Sequence, residues 1–379
     1  MTVTVCLFAN TIYYPGGGGH LWVYLNWALG LRALGCRLVW MEEVTARPGA
    51  SASQLQAQVT GLQKRLEPYG LAEVVALCSR SGEPVPPSAA AGCVDLEAAA
   101  EADLLLNFKY EASAAVVGRF PRSALVDIDP GLLQHWIKQG YINLARHGLY
   151  FTTGETVGRP WARIPDVGLR WHYTPPCVAL DWWSPSPAPE GAPFTTVSHW
   201  YAGEWVEDGD GSYANHKRSG FVPFLDLPGH TQQPLELALC LGDGDEDEPV
   251  ALRRRGWRVR EAGEVASTPW DYQRYIQGSR GEFGCAKPST VRMQNAWVSD
   301  RTLCYLATGK PAIVQHTGPS RFLPDSAGLF RFRTLEEAAC SLDAAAADYE
   351  YHSWLARALA EEHFDARKVA ARVLERALA

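Results

Sequence analysis

The chain has 379 residues, of which 47% are hydrophobic and 20% charged, with a formal net charge of -7. That length fits about two domains of roughly 150 residues each, the composition excludes a disordered chain, and the acidic balance argues against a nucleic-acid partner, whose phosphates usually meet a basic face. Nine cysteines without a Cys-x-x-Cys pair, set in apolar runs such as VTVCLF and LALCLG, read as reduced, buried residues of a cytoplasmic protein.

Residues 2–9 are expected to form a strand, since MTVTVCLFAN has no basic region ahead of its apolar residues and so differs from a signal peptide. Residues 21–34 follow as an apolar helix, shorter than the roughly 20 residues that span a bilayer, and therefore a core helix rather than a membrane span. A second strand at 36–41 and a helix at 51–67 come next. Further strands are expected at 72–78, 103–108, 123–128 and 148–153, with 131–139 helical between the last two. This alternation predicts an α/β fold with a mostly parallel sheet covered by helices.

Gly16, Gly17, Gly18, Gly19 and His20 lie between the first strand and the first helix. Glycines such as Gly18 and Gly19 let a backbone approach a ligand closely, and a helix N-terminus favours an anion. His20, with an ordinary pKa of about 6.5, is suited to take a proton from a hydroxyl; the plainer alternative is that it caps the helix. A dinucleotide site with Glu42 or Glu43 on the ribose is a rival reading. It is disfavoured by the six residues Asn10 to Pro15 before the first glycine and by Leu21 at the third glycine position. Asp127 and Asp129, in SALVDIDPG, have three readings: one orients His20, both form a metal-binding Asp-x-Asp pair, or both belong to a turn.

The proline-rich segment at 181–193, DWWSPSPAPEGAP, reads as an exposed linker between domains. Beyond it, strands are expected at 194–200, 235–241, 257–260 and 281–286, with a helix at 269–277. His216, Lys217 and Arg218 form a basic cluster, and Arg280 precedes a strand. Such groups clamp phosphates or simply form a solvated face. The acidic run Asp243, Asp245, Glu246, Asp247 and Glu248 departs from a calcium loop at Glu248 and Arg254 and reads as a solvated loop. No zinc spacing, nucleophile elbow or Walker lysine loop is present. The 14 tryptophans offer stacking faces for a sugar, most of them being expected in the core.

In WVSDRTLCYLATGKPAIVQHTG, Ser299 is a good N-cap and Asp300 suits the positive end of a helix dipole, so 301–308 should be a helix stopped by Gly309 and Pro311. A buried strand at 312–314 then ends in Gln315, His316, Thr317 and Gly318, at the strand end where open α/β sheets bind ligands. Residues 335–347 and 352–378 are helical. The expected domains are 1–185 and 194–350, facing across a cleft, with the helices of 351–379 packing back on the first.

The GGGGH loop, the hinge, SRGEFGCAK and WVSDRTLCYLATGKPAIVQHTG together resemble the two-domain nucleotide-sugar glycosyltransferases of the GT-B fold, in particular the bacterial natural-product type. The resemblance implies two Rossmann-like doubly wound domains, with the acceptor on the first and the donor on the second. Ser299, Asp300, Arg301 and Thr302 would face the donor diphosphate or sugar; Gln315, Thr317 and Gly318 would line the same pocket, with Gly18, Gly19, Lys217, Arg218 and Arg280 also on the donor. His20 would be the catalytic base, with Asp127 orienting it. The implied reaction moves a sugar to a hydroxyl or amine of a small-molecule acceptor, with no metal, bound cofactor, nucleic acid or membrane span; a homodimer is left open. The Glu-x7-Glu pattern of many retaining members is absent, since Thr290 stands eight residues after Glu282. Stereochemistry, donor and acceptor therefore stay open. The alternatives are a sugar-nucleotide epimerase or hydrolase on the same fold, an inactive nucleotide-sugar-binding partner protein, and an NAD-dependent oxidoreductase.

Overall fold

A computed structural model describes residues 2–44, 52–83, 85, 87, 90–201, 205–209, 211–242 and 245–379. The chain forms two compact units: Met1–Gly158 with Ile164–Ala179 and Asp365–Ala379, and Leu180–Phe364 with Arg159–Arg163.

The first unit is built on seven strands: β1 (Thr4–Ala9), β2 (Arg37–Val44), β3 (Val75–Ser79), β4 (Leu104–Asn107), β5 (Ser123–Asp127), β6 (Leu149–Thr152) and β7 (Trp171–Tyr173). They pair in the order β3-β2-β1-β4-β5-β6-β7, every pair parallel. Parallel strands are covered on both faces, so β1 and β4 are apolar and buried almost throughout. The expected strand at 72–78 begins only at Val75, because Ala72–Val74 is a 3-10 turn. Of the helix expected over 51–67, Ala52–Leu66 is observed, and residue 51 lies outside the described residues.

The helix Gly18–Ala33 links β1 to β2 and buries Trp22, Tyr24, Leu25 and Trp27. Its far side is covered by the last helix, Ala366–Leu378, which buries Ala366, Val369, Ala370, Val373 and Leu374 at helical spacing. The two helices meet at Gly30, where an added Cβ would stand 2.6 Å from the Cβ of Ala366. Next to this contact Val178 and Asp365 form a parallel bridge, and the Ala366 N–H donates to the Val178 carbonyl at 3.0 Å. The helix Tyr349–Leu359, by contrast, belongs to the second unit.

The proline-rich segment is not a free linker. Trp183 is fully buried, its carbonyl accepts from Arg357 Nη1 at 2.8 Å, and the Ser186 N–H donates to the Thr308 carbonyl at 3.2 Å. These bonds tie the segment into the second unit.

The second unit holds β8 (Phe194–His199), a hairpin of β9 (Trp205–Asp208) and β10 (Gly211–Ala214), then β11 (Leu235–Cys240), β12 (Arg258–Glu261), β13 (Gly281–Gly284), β14 (Ala312–Gln315), β15 (Ser326–Ala327) and β16 (Leu329–Phe332). The main sheet runs β12-β11-β8-β13-β14-β16-β15, parallel except for β15 with β16. Its core includes Phe221, Trp257, and Phe283 stacked on Phe332 with centroids 5.3 Å apart. The acidic run is not wholly a loop: Asp247 and Glu248 open the helix Asp247–Arg254, where the dipole favours carboxylates, whereas Asp243 lies outside the described residues. All nine cysteines are free; five are buried as expected, but Cys36 and Cys93 are half-buried and Cys240 and Cys340 exposed. No helix among the described residues is long and apolar enough to cross a membrane.

Candidate active site

In each sheet the strand order reverses beside its first strand, between β1 and β4 and between β8 and β13. Open parallel sheets bind ligands outside the carboxyl ends of the strands at such a point.

In the second unit a pocket opens there. Of the residues expected on the donor, Lys217, Ser299, Arg301, Thr302, Gln315 and Thr317 line it. Ser299 caps the helix Asp300–Ala307, its Oγ accepting from the Arg301 N–H at 3.3 Å. Gln315 Oε1 accepts the Ala286 N–H at 3.0 Å, and Thr317 Oγ1 donates to the Trp297 carbonyl at 2.6 Å. These bonds fix the two loops that follow β13 and β14.

The charges of the pocket are unevenly balanced. Arg301 Nε donates to Glu282 Oε1 at 2.7 Å and Nη1 to the Val197 carbonyl at 2.9 Å. Burial opposes its charge, but the fully buried Glu282 holds it protonated, so this guanidinium is neutralised within the protein. Lys217 has no such partner: among the described residues no carboxylate lies within ion-pair distance of its Nζ. That Nζ donates to the Cys285 carbonyl at 2.8 Å and lies 5.7 Å from the centre of the Trp297 ring. Burial, then the charges of Arg301 and Lys287, bring its pKa down to about 7.

Gly284, Cys285, Ala286 and Trp297 also line the pocket and were not anticipated. Nor was Gly220, on the short helix Lys217–Phe221: a Cβ there would stand 2.0 Å from the Ala286 carbonyl oxygen. Glycine lets the helix lie directly on the chain leaving β13, and so brings Lys217 to Cys285. The lone glycine in HKRSGF was the available signal.

Six residues expected on the donor do not line this pocket: Gly18 and Gly19 lie in the first unit, and Arg218, Arg280, Asp300 and Gly318 stand elsewhere in the second. Arg218 pairs with Glu248 at 2.7 Å. Arg280 precedes β13, at the amino end of that strand, where it packs on the Tyr349 ring at 4.4 Å; a residue before a parallel strand is carried to the edge of the sheet opposite the ligand. Asp300 opens its helix without lining the pocket, and Gly318 gives its carbonyl to Arg331 Nη1 at 2.9 Å.

In the first unit the loop from β1 to its helix is held by Glu42, at the carboxyl end of β2. This buried carboxylate accepts from the Thr11 N–H at 2.9 Å, the Thr11 hydroxyl, the Ile12 N–H at 3.3 Å and Trp40 Nε1 at 3.0 Å. Glu42 is thus committed to the loop and not to a ribose, and Glu43 meets Lys109 at 3.6 Å. Gly18 and Gly19 form the first turn of the helix, which no side chain caps, and none of the four glycines has a positive φ.

His20 sits in that first turn. Its Nε2 is 2.7 Å from the Asn10 carbonyl oxygen, and its ring packs against Tyr14 at 4.6 Å and Tyr24 at 5.3 Å. Tyr14, half exposed beside the imidazole, was not anticipated. Burial lowers the His20 pKa, partly offset by the Asn10 carbonyl and by the charges of Glu42 and Asp129.

Asp127 does not orient this ring. It is fully buried, with Oδ2 accepting from Gln134 Nε2 at 2.9 Å and Thr152 Oγ1 at 2.8 Å, and Oδ1 from the Asp129 N–H at 2.9 Å. Both oxygens are occupied in tying β5 to the helix Leu132–Lys138 and to β6, and burial pushes its pKa up to about 7. Asp129 is the aspartate whose charge reaches His20; its Oδ2 accepts from the Tyr110 hydroxyl at 3.1 Å. Among the described residues no group of three or more histidine, cysteine, aspartate or glutamate side chains could hold a metal ion.

Two Rossmann-like units on parallel sheets are also the architecture of several solved structures. An alpha-glucosyltransferase in complex with UDP matches with a TM-score of 0.62 at 10% identity, covering 100% of both chains. HepE of Anabaena, in complex with UDP and glucose, matches at 0.57 and 14%, covering 98% of each chain. Sucrose-phosphate synthase of Thermosynechococcus elongatus matches at 0.55 and 11%, covering 99% of this chain and 98% of that one. The fold is that of the GT-B glycosyltransferases. At these identities the likeness is one of fold. The alpha-glucosyltransferase has also been solved with a 13-mer DNA, so the neighbours do not share a single kind of partner. No protein-family model and no curated protein sequence matches the chain.

Proposed function

We propose that the protein is a glycosyltransferase that moves a sugar from a nucleotide diphosphate sugar to a hydroxyl or amine of a small-molecule acceptor. The observation that carries this reading is the pocket of the second unit, where Lys217, lacking a carboxylate partner, lies beside the capped N-terminus of the helix Asp300–Ala307 at the switch point of a parallel sheet. A cation and the positive end of a helix dipole suit a diphosphate, whose charge grows as the bond to the sugar breaks. The solved neighbours of the same fold that carry UDP support it further.

His20 supplies the base. A carbonyl oxygen can only accept, so Nε2 holds the proton directed at Asn10 and Nδ1 carries the lone pair. Nδ1 takes the acceptor's proton as its oxygen or nitrogen bonds to the anomeric carbon. The bond from that carbon to the diphosphate breaks, and the leaving charge falls on Lys217 and the helix N-terminus. These fixed groups do the electrostatic work of a divalent ion, and the reaction is metal-independent.

A thermal-shift screen of nucleotide diphosphates and their sugars tests the donor half, since a ligand that binds the native state raises its stability. Retained activity in excess chelator would support metal independence. No stabilisation by any nucleotide would sink the reading, and consumption of a nucleotide sugar without an acceptor would favour the epimerase or hydrolase.

A further inference from the structure

Resting on that reading, we infer that binding of the nucleotide diphosphate sugar takes up a proton at Lys217, so that the anchor for the diphosphate becomes charged as the ligand arrives. The groups facing Lys217 come from three elements. Arg301 projects from the helix Asp300–Ala307, Lys287 caps the helix Pro288–Met293, and Glu282 and Cys285 belong to β13 and the residue after it. Glu282 is the one carboxylate among them, and it is already bonded to Arg301. The Cys285 thiol, pushed up by burial, stays neutral and offers no counter-charge.

A protonated Lys217 therefore faces Lys287 and the Arg301–Glu282 ion pair, a surrounding with net positive charge, and among the described residues its direct contacts are a backbone carbonyl and an aromatic face. This arrangement favours the neutral amine near neutral pH, in agreement with the lowered pKa. A diphosphate carrying two negative charges reverses the local field. The lysine then gains a proton from solvent, and its ammonium donates to a phosphate oxygen. Above neutral pH the proton must be supplied for each ligand bound, so affinity falls as pH rises.

UDP-glucose is the probe, because its diphosphate is a diester whose charge does not change in this range. Calorimetric titration at about pH 8, in buffers of different ionisation heat, should show uptake approaching one proton per ligand, with affinity falling about tenfold per pH unit above neutrality. At about pH 6 uptake should vanish, because Lys217 is already protonated. Lys217→Arg keeps a cation that cannot be deprotonated, so this variant should bind without proton uptake and with little dependence on pH. Lys217→Met should bind weakly at every pH.

Tight binding by the wild type without uptake would overturn the inference while leaving the donor reading standing. Uptake persisting in Lys217→Arg would overturn it too, by placing the proton on another group such as Lys310. Failure of UDP-glucose to bind at any pH would remove both.

Discussion

The His20 imidazole Nε2 stands 2.7 Å from the carbonyl oxygen of Asn10, the residue that follows β1. That contact fixes the tautomer and leaves Nδ1 as the basic atom, while burial keeps the ring neutral at neutral pH. Replacing His20 by Ala should lower turnover by about a hundredfold or more. In the wild type the acid limb of kcat against pH should lie below the ordinary histidine value of about 6.5, because the folded pKa is lowered. Unchanged turnover in the variant would remove His20 from the reaction.

Glu42 is predicted to matter to stability before it matters to binding. Substitution by Ala leaves the Thr11 and Ile12 N–H groups and Trp40 Nε1 without their buried acceptor, which should cost about 3 kcal/mol. Urea denaturation measures this. A loss below about 0.5 kcal/mol, the usual range for a surface position, would contradict the structural role.

Lys310 is fully buried and, among the described residues, its Nζ has no hydrogen-bond partner. Burial lowers its pKa from 10.5 to about 8. A folded pKa below the unfolded one means that the unfolded chain binds more protons between those values, so stability should rise with pH across that window. Lys310→Met should therefore stabilise the protein at neutral pH by about 3 kcal/mol, an advantage that shrinks as the pH climbs from about 8. Thermal midpoints of the two proteins across this range provide the check; equal pH dependence would show that Lys310 is solvated.

Gly220→Ala places a Cβ against the Ala286 carbonyl oxygen. Either the helix Lys217–Phe221 or the chain after β13 must shift, displacing Lys217 from Cys285. Donor KM should rise about tenfold or more with a smaller change in kcat, a positional effect of the kind that costs rate when binding groups move by an ångström. Wild-type kinetics in the variant would show that the close approach does not position the lysine.

Much of this was legible in the sequence. The buried strands β1, β4 and β14 are continuous apolar runs, and Ser299 with Gly309 marks a helix at both ends, so the parallel architecture and one side of the pocket could be read directly. Short strands such as β9, with the residues WVED, and the two-residue β15 have too little periodicity to detect. Site residues failed for a different reason. Arg280 and Asp127 have the right chemical types, but only the three-dimensional fold shows that one is at the wrong end of its strand and the other already saturated. Gly220 and Tyr14 are not legible in the sequence because their contributions are a close approach and a ring contact, which no local spacing encodes.

The bridge between Val178 and Asp365 closes the segment Leu180–Phe364, nearly all of the second unit, as an insertion into the first. The ribosome must therefore make the whole of Leu180–Phe364 before it releases the helix Ala366–Leu378 that packs on Gly18–Ala33 at Gly30. During synthesis the first unit waits with one apolar flank bare while the later unit matures. The two ends of the insertion are thus held side by side by the backbone of the first unit, at Val178 and Asp365.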